Sequence, residues 1–446
     1  MRFISIIILL LPILLYFVIN TKKNFLNPST AFSFLYIIKI VLPTIIYSNI
    51  DNVSYADNLF LKKSLLNDDV FFKYTLIQSL GYCMVLLGLR IFKTSSGIEY
   101  NINSYGINSD ENVSESKKYK VFCFLFYLLG VFGFILVMTK VGGIAFFFSN
   151  LDQRTTFVRN LDIELYLLAF LKFAPLILIY SKKWTKDKMK WWEFVLIILA
   201  GLMTGLGGRK DLLMLVIECA VVYHFVVNPF KMKQVFNIKT LSLCCLIFLF
   251  FTTYSKLRVP GAMDKFINDP VTFYISNNDG GLIKSVAGES YVPFYVSIVD
   301  YFDKHERWEG KSFSSLTSAF IPSSIYHDKP PVDDGMYLYS IAHSAKNIQP
   351  PMPTGKLNGS SWPLETFGAM YANFGPIGVI VGMLLLGIII SYFYRKMQLS
   401  DYQFKYVIFY TIILFTFEIS TLRIVQVVSA LVLLSLIQFV IDKKYV

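Results

Sequence analysis

Charge is what this sequence has least of. Asp, Glu, Lys and Arg make up 16% of its 446 residues, against about 25% in a soluble globular protein. Hydrophobic residues make up 55%, and they fall in runs long enough to cross a bilayer, which excludes a soluble domain. Reactive cysteine chemistry is missing too. Cys83, Cys123, Cys219, Cys244 and Cys245 all lie in apolar runs, so neither a disulfide framework nor a cysteine metal site is readable. No His-Glu-x-x-His, Asp-rich cluster or Gly-x-Ser-x-Gly occurs, which leaves metal-dependent and serine hydrolases without support. There is no repeat of 20–50 residues, no heptad and no soluble second domain. The formal charge of +12 is scattered among short loops rather than gathered on one face, so it does not point to nucleic acid.

What is present is a series of apolar segments. A transmembrane helix takes about 20 mostly apolar residues. Eleven segments qualify: 3–20, 29–48, 70–92, 120–138, 163–181, 192–207, 211–228, 239–255, 366–394, 404–420 and 423–441. The sequence therefore predicts an all-α polytopic membrane protein with about 11 transmembrane helices. The first segment has one preceding charge, Arg2, and a stronger positive flank after it, Lys22 and Lys23; no small-residue cleavage site follows. It reads as a retained span rather than a signal peptide. Basic loops (Lys22-Lys23, 93–120, 182–190, 231–239, 395–405 and Lys443-Lys444) alternate with the others. Placing them inside predicts an outward N-terminus and an inward C-terminus. The chain then divides into a membrane bundle of about eight spans (1–255), one large extracytoplasmic loop with partly helical structure (256–362), and a C-terminal bundle of about three spans (363–446). The Asn/Ser-rich 93–119 stretch reads as a flexible cytoplasmic connector. Gly201 with Gly205, and Gly378 with Gly382, have the spacing of helix-packing pairs.

The long loop holds His305, His327 and His343. Candidate bases are Glu289, His327 and His343, although a lone loop histidine is more often simply solvated. Glu365 follows Ser360-Ser361-Trp362-Pro363. It reads first as an acid favoured in the first turn of a helix. Gly205-Leu206-Gly207-Gly208-Arg209-Lys210-Asp211 sits at an expected outward turn. Two cations at a helix N-terminus suit a phosphate or pyrophosphate. Arg154, Arg258, Arg307 and Arg423 are further cations expected on that side, with Arg423 also readable as an interfacial residue paired with Glu418. Loop aromatics such as Tyr291, Phe294, Tyr295, Trp308 and Trp362 would suit sugar rings or form the loop's own core.

These features resemble the Wzy-type oligosaccharide repeat-unit polymerases that build O-antigen or capsule in bacteria. The resemblance rests on the many-span layout with a large outward loop in the C-terminal half, on Gly207-Gly208-Arg209 opening a span, and on Gly359-Ser360-Ser361 leading to Ala372-Asn373-Phe374-Gly375-Pro376-Ile377-Gly378. It implies a glycosyltransferase of the bacterial cytoplasmic membrane acting at its outer face, without metal or cofactor. Undecaprenyl-pyrophosphate-linked glycans would be donor and acceptor, and a chain-length regulator and a flippase would be partners. A leaving pyrophosphate needs cations and an acceptor hydroxyl needs a base. An O-antigen ligase using the same donor, and a lipid-linked oligosaccharide flippase or transporter, are the competing expectations.

Overall fold

A computed structural model describes residues 1–19, 26–56, 58–92, 110–150, 157, 161, 163–206, 209–230, 268–269, 287, 290–321, 325–344 and 348–443. The regular secondary structure of these residues is helical. The helices are α1 (Arg2–Ile19), α2 (Pro28–Ser48), α3 (Leu59–Leu66), α4 (Asp68–Ile91), α5 (Asp110–Val141), α6 (Ile144–Ser149) and α7 (Ile163–Tyr180). They continue as α8 (Trp191–Gly205), α9 (Arg209–Val226), α10 (Val292–Phe302), α11 (Gly335–His343), α12 (Glu365–Leu399), α13 (Phe404–Thr416) and α14 (Thr421–Lys443).

Among the described residues, 7 helices are long and apolar enough to cross a membrane: α1, α2, α4, α5, α7, α12 and α14. Each falls on an expected span. The chain is a multi-pass α-helical membrane protein. Trp191–Gly205 and Phe404–Thr416 are apolar but shorter. The expected span 211–228 falls on α9, which is not among these 7, and 239–255 lies outside the described residues.

Two compact units make up the chain. The first contains Met1–Ser95, Gly280–Leu399 and Ile412–Leu434. Its frame is α4 packed along α12. A Cβ on Gly88 would stand 2.4 Å from the Leu384 carbonyl oxygen, and one on Gly387 2.3 Å from that of Val85. The Ser391 hydroxyl donates to the Leu89 carbonyl at 3.0 Å. Small residues here let two backbones touch, which is how spans gain packing energy without a hydrophobic driving force. Gly88→Val is therefore expected to cost about 1–3 kcal/mol through overpacking. Thermal unfolding in detergent measures this, with the exposed Gly355→Ala as control; equal melting of both variants would refute the close contact.

Arg2 ties the first helix into this unit. Its Nε meets Asp68 at 2.8 Å, and its other nitrogens donate to the carbonyls of Tyr47 (3.0 Å) and Leu65 (2.7 Å). One guanidinium thus satisfies carbonyls at the ends of α2 and α3 that have no helical partner. The side chain expected to mark a retained span is part of the packing.

α12 is two helices joined at a sharp bend. Gly375 takes φ 68° and ψ −154°, a region open essentially to glycine alone. Pro376 follows and starts the second half, where a missing N–H costs nothing. A Cβ on Gly378 would lie 2.5 Å from the Met370 carbonyl oxygen, and one on Gly382 2.5 Å from Met370 Cγ. In a straight helix eight residues span about 12 Å and twelve about 18 Å. The first half of α12 must therefore fold back along the second. Gly378 and Gly382 pack as their spacing suggests, against their own helix.

The second unit contains Ser96–Asp279, Ser400–Thr411 and Ser435–Val446. Gly130 lies against Leu171, and Gly133 against Leu167 and Leu168, bringing α5 and α7 close. Gly201 meets Leu212 between α8 and α9, as its spacing suggests, while Gly205 has only the Cβ of Asp211 at 3.7 Å. Lys182 and Glu193 form an ion pair at 2.8 Å with each side chain only 5% exposed.

Candidate functional site

Within the first unit, three ionisable side chains from separate spans and a link converge on one cleft. Lys39 arrives on a π-helical turn, Ile37–Val41, inside α2. Such turns are rare and frequent at functional sites. Glu365 is the first residue of α12 and holds a φ of 46°, a strained value for a residue with a Cβ. Glu418 lies between α13 and α14, in the non-helical stretch 417–420.

Their contacts are specific. Lys39 Nζ stands 3.9 Å from Glu365 Oε1, with 40% of the lysine side chain uncovered. The Tyr295 hydroxyl of α10 donates to Glu365 Oε2 at 2.8 Å. The Thr366 hydroxyl donates to Glu418 and accepts from the Ile419 N–H at 2.8 Å; the Thr366 N–H also donates to Glu418, at 3.2 Å. The break after α13 is thus locked to the start of α12. Glu418 lines the same cleft as Glu365 and Lys39.

The cleft is narrow, with a cavity volume of about 50 Å³. One end carries Lys39, Glu365, Glu418 and Gln78; the rest is apolar, with Phe32, Ile40, Met383, Leu386, Leu414 and Phe415 among its walls. Gln78 is 2% exposed and its Oε1 has no partner among the described residues. A buried acceptor left unpaired costs about 1–3 kcal/mol, so a donor on a ligand or a water fits here. Lys39 is nine residues from the end of α2 and Gln78 ten from the start of α4, about 13 and 15 Å along the helices. Both therefore sit about halfway along their helices.

The residues nominated by the sequence are distributed differently. His327 is exposed on a turn. His343 ends α11 and stacks on Tyr339 at 4.1 Å; its Nδ1 meets the Tyr339 carbonyl at 2.8 Å and its Nε2 meets the Asn58 amide at 2.9 Å. A carbonyl partner requires Nδ1–H, so Nε2 accepts from Asn58 and both nitrogens are engaged. Arg423 binds Gln426 at 2.9 Å and opposes the charge of Lys39; Glu418, its suggested partner, bonds Thr366 instead. Arg307 lies over Gly375, at the bend of α12. Arg209 and Lys210 open α9, with side chains outside the described residues, as are Arg154, Arg258 and Glu289 altogether. Nothing described brings Arg307, His327 and His343 to the cleft. Lys39 and Glu418 were legible as charges within the apolar runs 29–48 and 404–420, a signal that marks function by default. Glu365 does open a helix, but its carboxylate faces Tyr295 and Lys39.

A second acid lies outside the spans. Asp334 precedes α11, is 2% exposed, and leaves Oδ2 without a partner among the described residues. Burial first, then neighbouring Asp333, pushes its carboxyl up to about 7, while the Thr421 N–H pulls it down. A raised carboxyl favours the protonated folded state. Its stabilising effect is complete below the unfolded value of about 3.9 and is lost as pH rises through about 7. Wild-type protein is expected to lose several degrees of melting temperature between pH 5 and pH 8. Asp334→Asn, which mimics the neutral acid, should flatten that slope; an unchanged slope in the variant would exclude Asp334 as its source.

The fold defines a multi-pass α-helical membrane protein with an acid–lysine cleft halfway along its spans. No protein family, curated protein or solved structure matches the chain.

Proposed function

We propose that this protein is a glycosyltransferase of the bacterial cytoplasmic membrane that polymerises undecaprenyl-pyrophosphate-linked repeat units into a surface polysaccharide. The observation that carries the reading is the cleft: a base and a cation at one end of an apolar channel. A polyprenyl tail suits the apolar wall. The acceptor sugar hydroxyl attacks the anomeric carbon of the donor, its proton passes to Glu418, and the bond to pyrophosphate breaks. Lys39, with Arg423 nearby, meets the charge that develops on the leaving group. Glu365 and the Tyr295 hydroxyl position Lys39. Arg209 and Lys210 remain candidates for an outer pyrophosphate contact.

A flippase or transporter is the second reading. It is favoured by helix breaks and ionisable groups meeting about halfway along the spans, a pattern of substrate pathways. Deletion of the gene separates the two. Loss of a polymerase leaves single repeat units on the cell surface and no ladder on a polysaccharide gel. Loss of a flippase leaves no units there. A deletion strain with a normal ladder would sink both.

A further inference from the structure

A second cavity of the first unit lies at the bend of α12, away from the Lys39 cleft. It is an open depression of about 800 Å³, bordered by residues that include Asp303, Glu306, Arg307, Glu309, Asn373 and Phe374. Its frame is built rather than loose. The N–H groups of Trp308 and Glu309 donate to the carbonyls of Ala372 (2.9 Å) and Asn373 (3.1 Å). Asn373, 1% exposed, accepts from the Gly310 N–H at 3.0 Å and donates to Ser312 at 2.9 Å and to the Ala369 carbonyl at 2.8 Å. The turn after α10 is thereby fixed against the bend.

Two groups on this frame are free. The Arg307 guanidinium lies over Gly375, where a Cβ would come within 2.5 Å of Cζ. Among the described residues it makes no hydrogen bond or ion pair. The Phe374 ring is 45% exposed and stacks nearly parallel to Phe313, at 8°. Glycine at 375 is required by the bend, and the arginine fork lies against it.

The composition selects the ligand. A polyanion is disfavoured by the carboxylates of Asp303, Glu306 and Glu309; Lys73 occupies Asp303 and Lys311 pairs with Glu309 at 3.7 Å, but Glu306 stays open. An apolar ligand is disfavoured because little beyond Phe374 is both apolar and exposed. Planar polar side chains beside one flat aromatic face suit a ring bearing many hydroxyls, with Arg307 bonding adjacent oxygens and Phe374 covering the C–H face. The geometry points to a carbohydrate subsite at the α12 bend, which holds the uncharged sugars of the glycan being extended. This rests on the polymerase reading and assigns the place of the acceptor's remaining sugars, while its reacting hydroxyl and the donor's diphosphate meet in the cleft.

The test uses the full-length protein in its own host. Phe374→Ala and Arg307→Gln are each expected to cut long-chain product by about tenfold or more, the effect of one lost contact of this kind. Membrane levels, read from a fluorescent fusion, should stay at wild type. Phe374→Trp keeps the platform and should keep the ladder. Arg307→Lys keeps the charge but loses the fork and should fail. Repeat-unit oligosaccharide from the deletion strain, freed of lipid by mild acid, should give saturation-transfer signals with the solubilised wild type and none with Phe374→Ala. Inorganic pyrophosphate should not compete. Normal ladders in both Phe374→Ala and Arg307→Gln would overturn the subsite, as would competition by pyrophosphate or retention of function in Arg307→Lys. If the subsite alone fails, the deletion strain and Glu418→Gln still lose the ladder. If the polymerase reading fails, the deletion strain keeps it or shows no surface units.

Discussion

Glu418→Gln is expected to abolish long-chain polysaccharide while the protein still reaches the membrane at normal level. Gln keeps the shape of the carboxylate and can still accept from the Thr366 N–H, which lies 3.2 Å from Glu418. What it loses is the capacity to take a proton. General-base assistance contributes about 10²–10⁴-fold in rate, enough to erase a ladder. The side chain is a stronger candidate than either loop histidine for a geometric reason. His343 has both ring nitrogens engaged, and His327 stands exposed on a turn. Glu418 faces a cleft shared with Lys39 and Glu365. A complemented deletion strain carrying Glu418→Gln with a wild-type ladder would remove it from the reaction.

The largest stability effect is expected far along the chain, at Lys182 and Glu193. Both side chains are 5% exposed and meet at 2.8 Å; Glu193 also accepts the Lys190 N–H at 2.6 Å as the cap of α8. Removing one partner strands a buried charge, at about 3–5 kcal/mol. Glu193→Ala should thus melt well below wild type in detergent, or fail to accumulate. Replacing both partners, Lys182→Met with Glu193→Leu, should recover most of the loss, since a buried pair is roughly neutral against well-packed apolar residues of similar volume. The comparison of single with double variant decides the point. Equal melting of Glu193→Ala and wild type would mean that the pair is open to water.

Lys182 also shows how a correct rule can hide a role. As one of several basic residues after an apolar run, it enters an orientation argument in which only charge is counted. Its neighbour Lys183 donates to the Asp401 carbonyl at 2.6 Å. These lysines are packing groups of the second unit as well as charges. Arg2 is a similar case: a flank in the sequence, a buried clamp on Tyr47, Leu65 and Asp68 in the fold. Glu365 is the instructive one. Ser-Ser-Trp-Pro-Leu-Glu announces a helix start, and a helix does start there. The rule is local, however, and the partners of Glu365 are Lys39 and Tyr295, far away in sequence.

By itself the sequence determined the membrane class and the places of the long spans. Both follow from the length and hydropathy of continuous segments, and a bilayer reads those segments one at a time. It read Ala372–Gly378 only as part of one continuous span, 366–394, although a Gly-Pro pair there can interrupt a helix. Only the tertiary structure decided what that interruption does. It folds the first half of α12 back so that Glu365 descends to Lys39, and it leaves Arg307 and Phe374 at the bend. Such a meeting depends on where separate helices stop and how closely glycine lets them approach, and neither is written within any one segment.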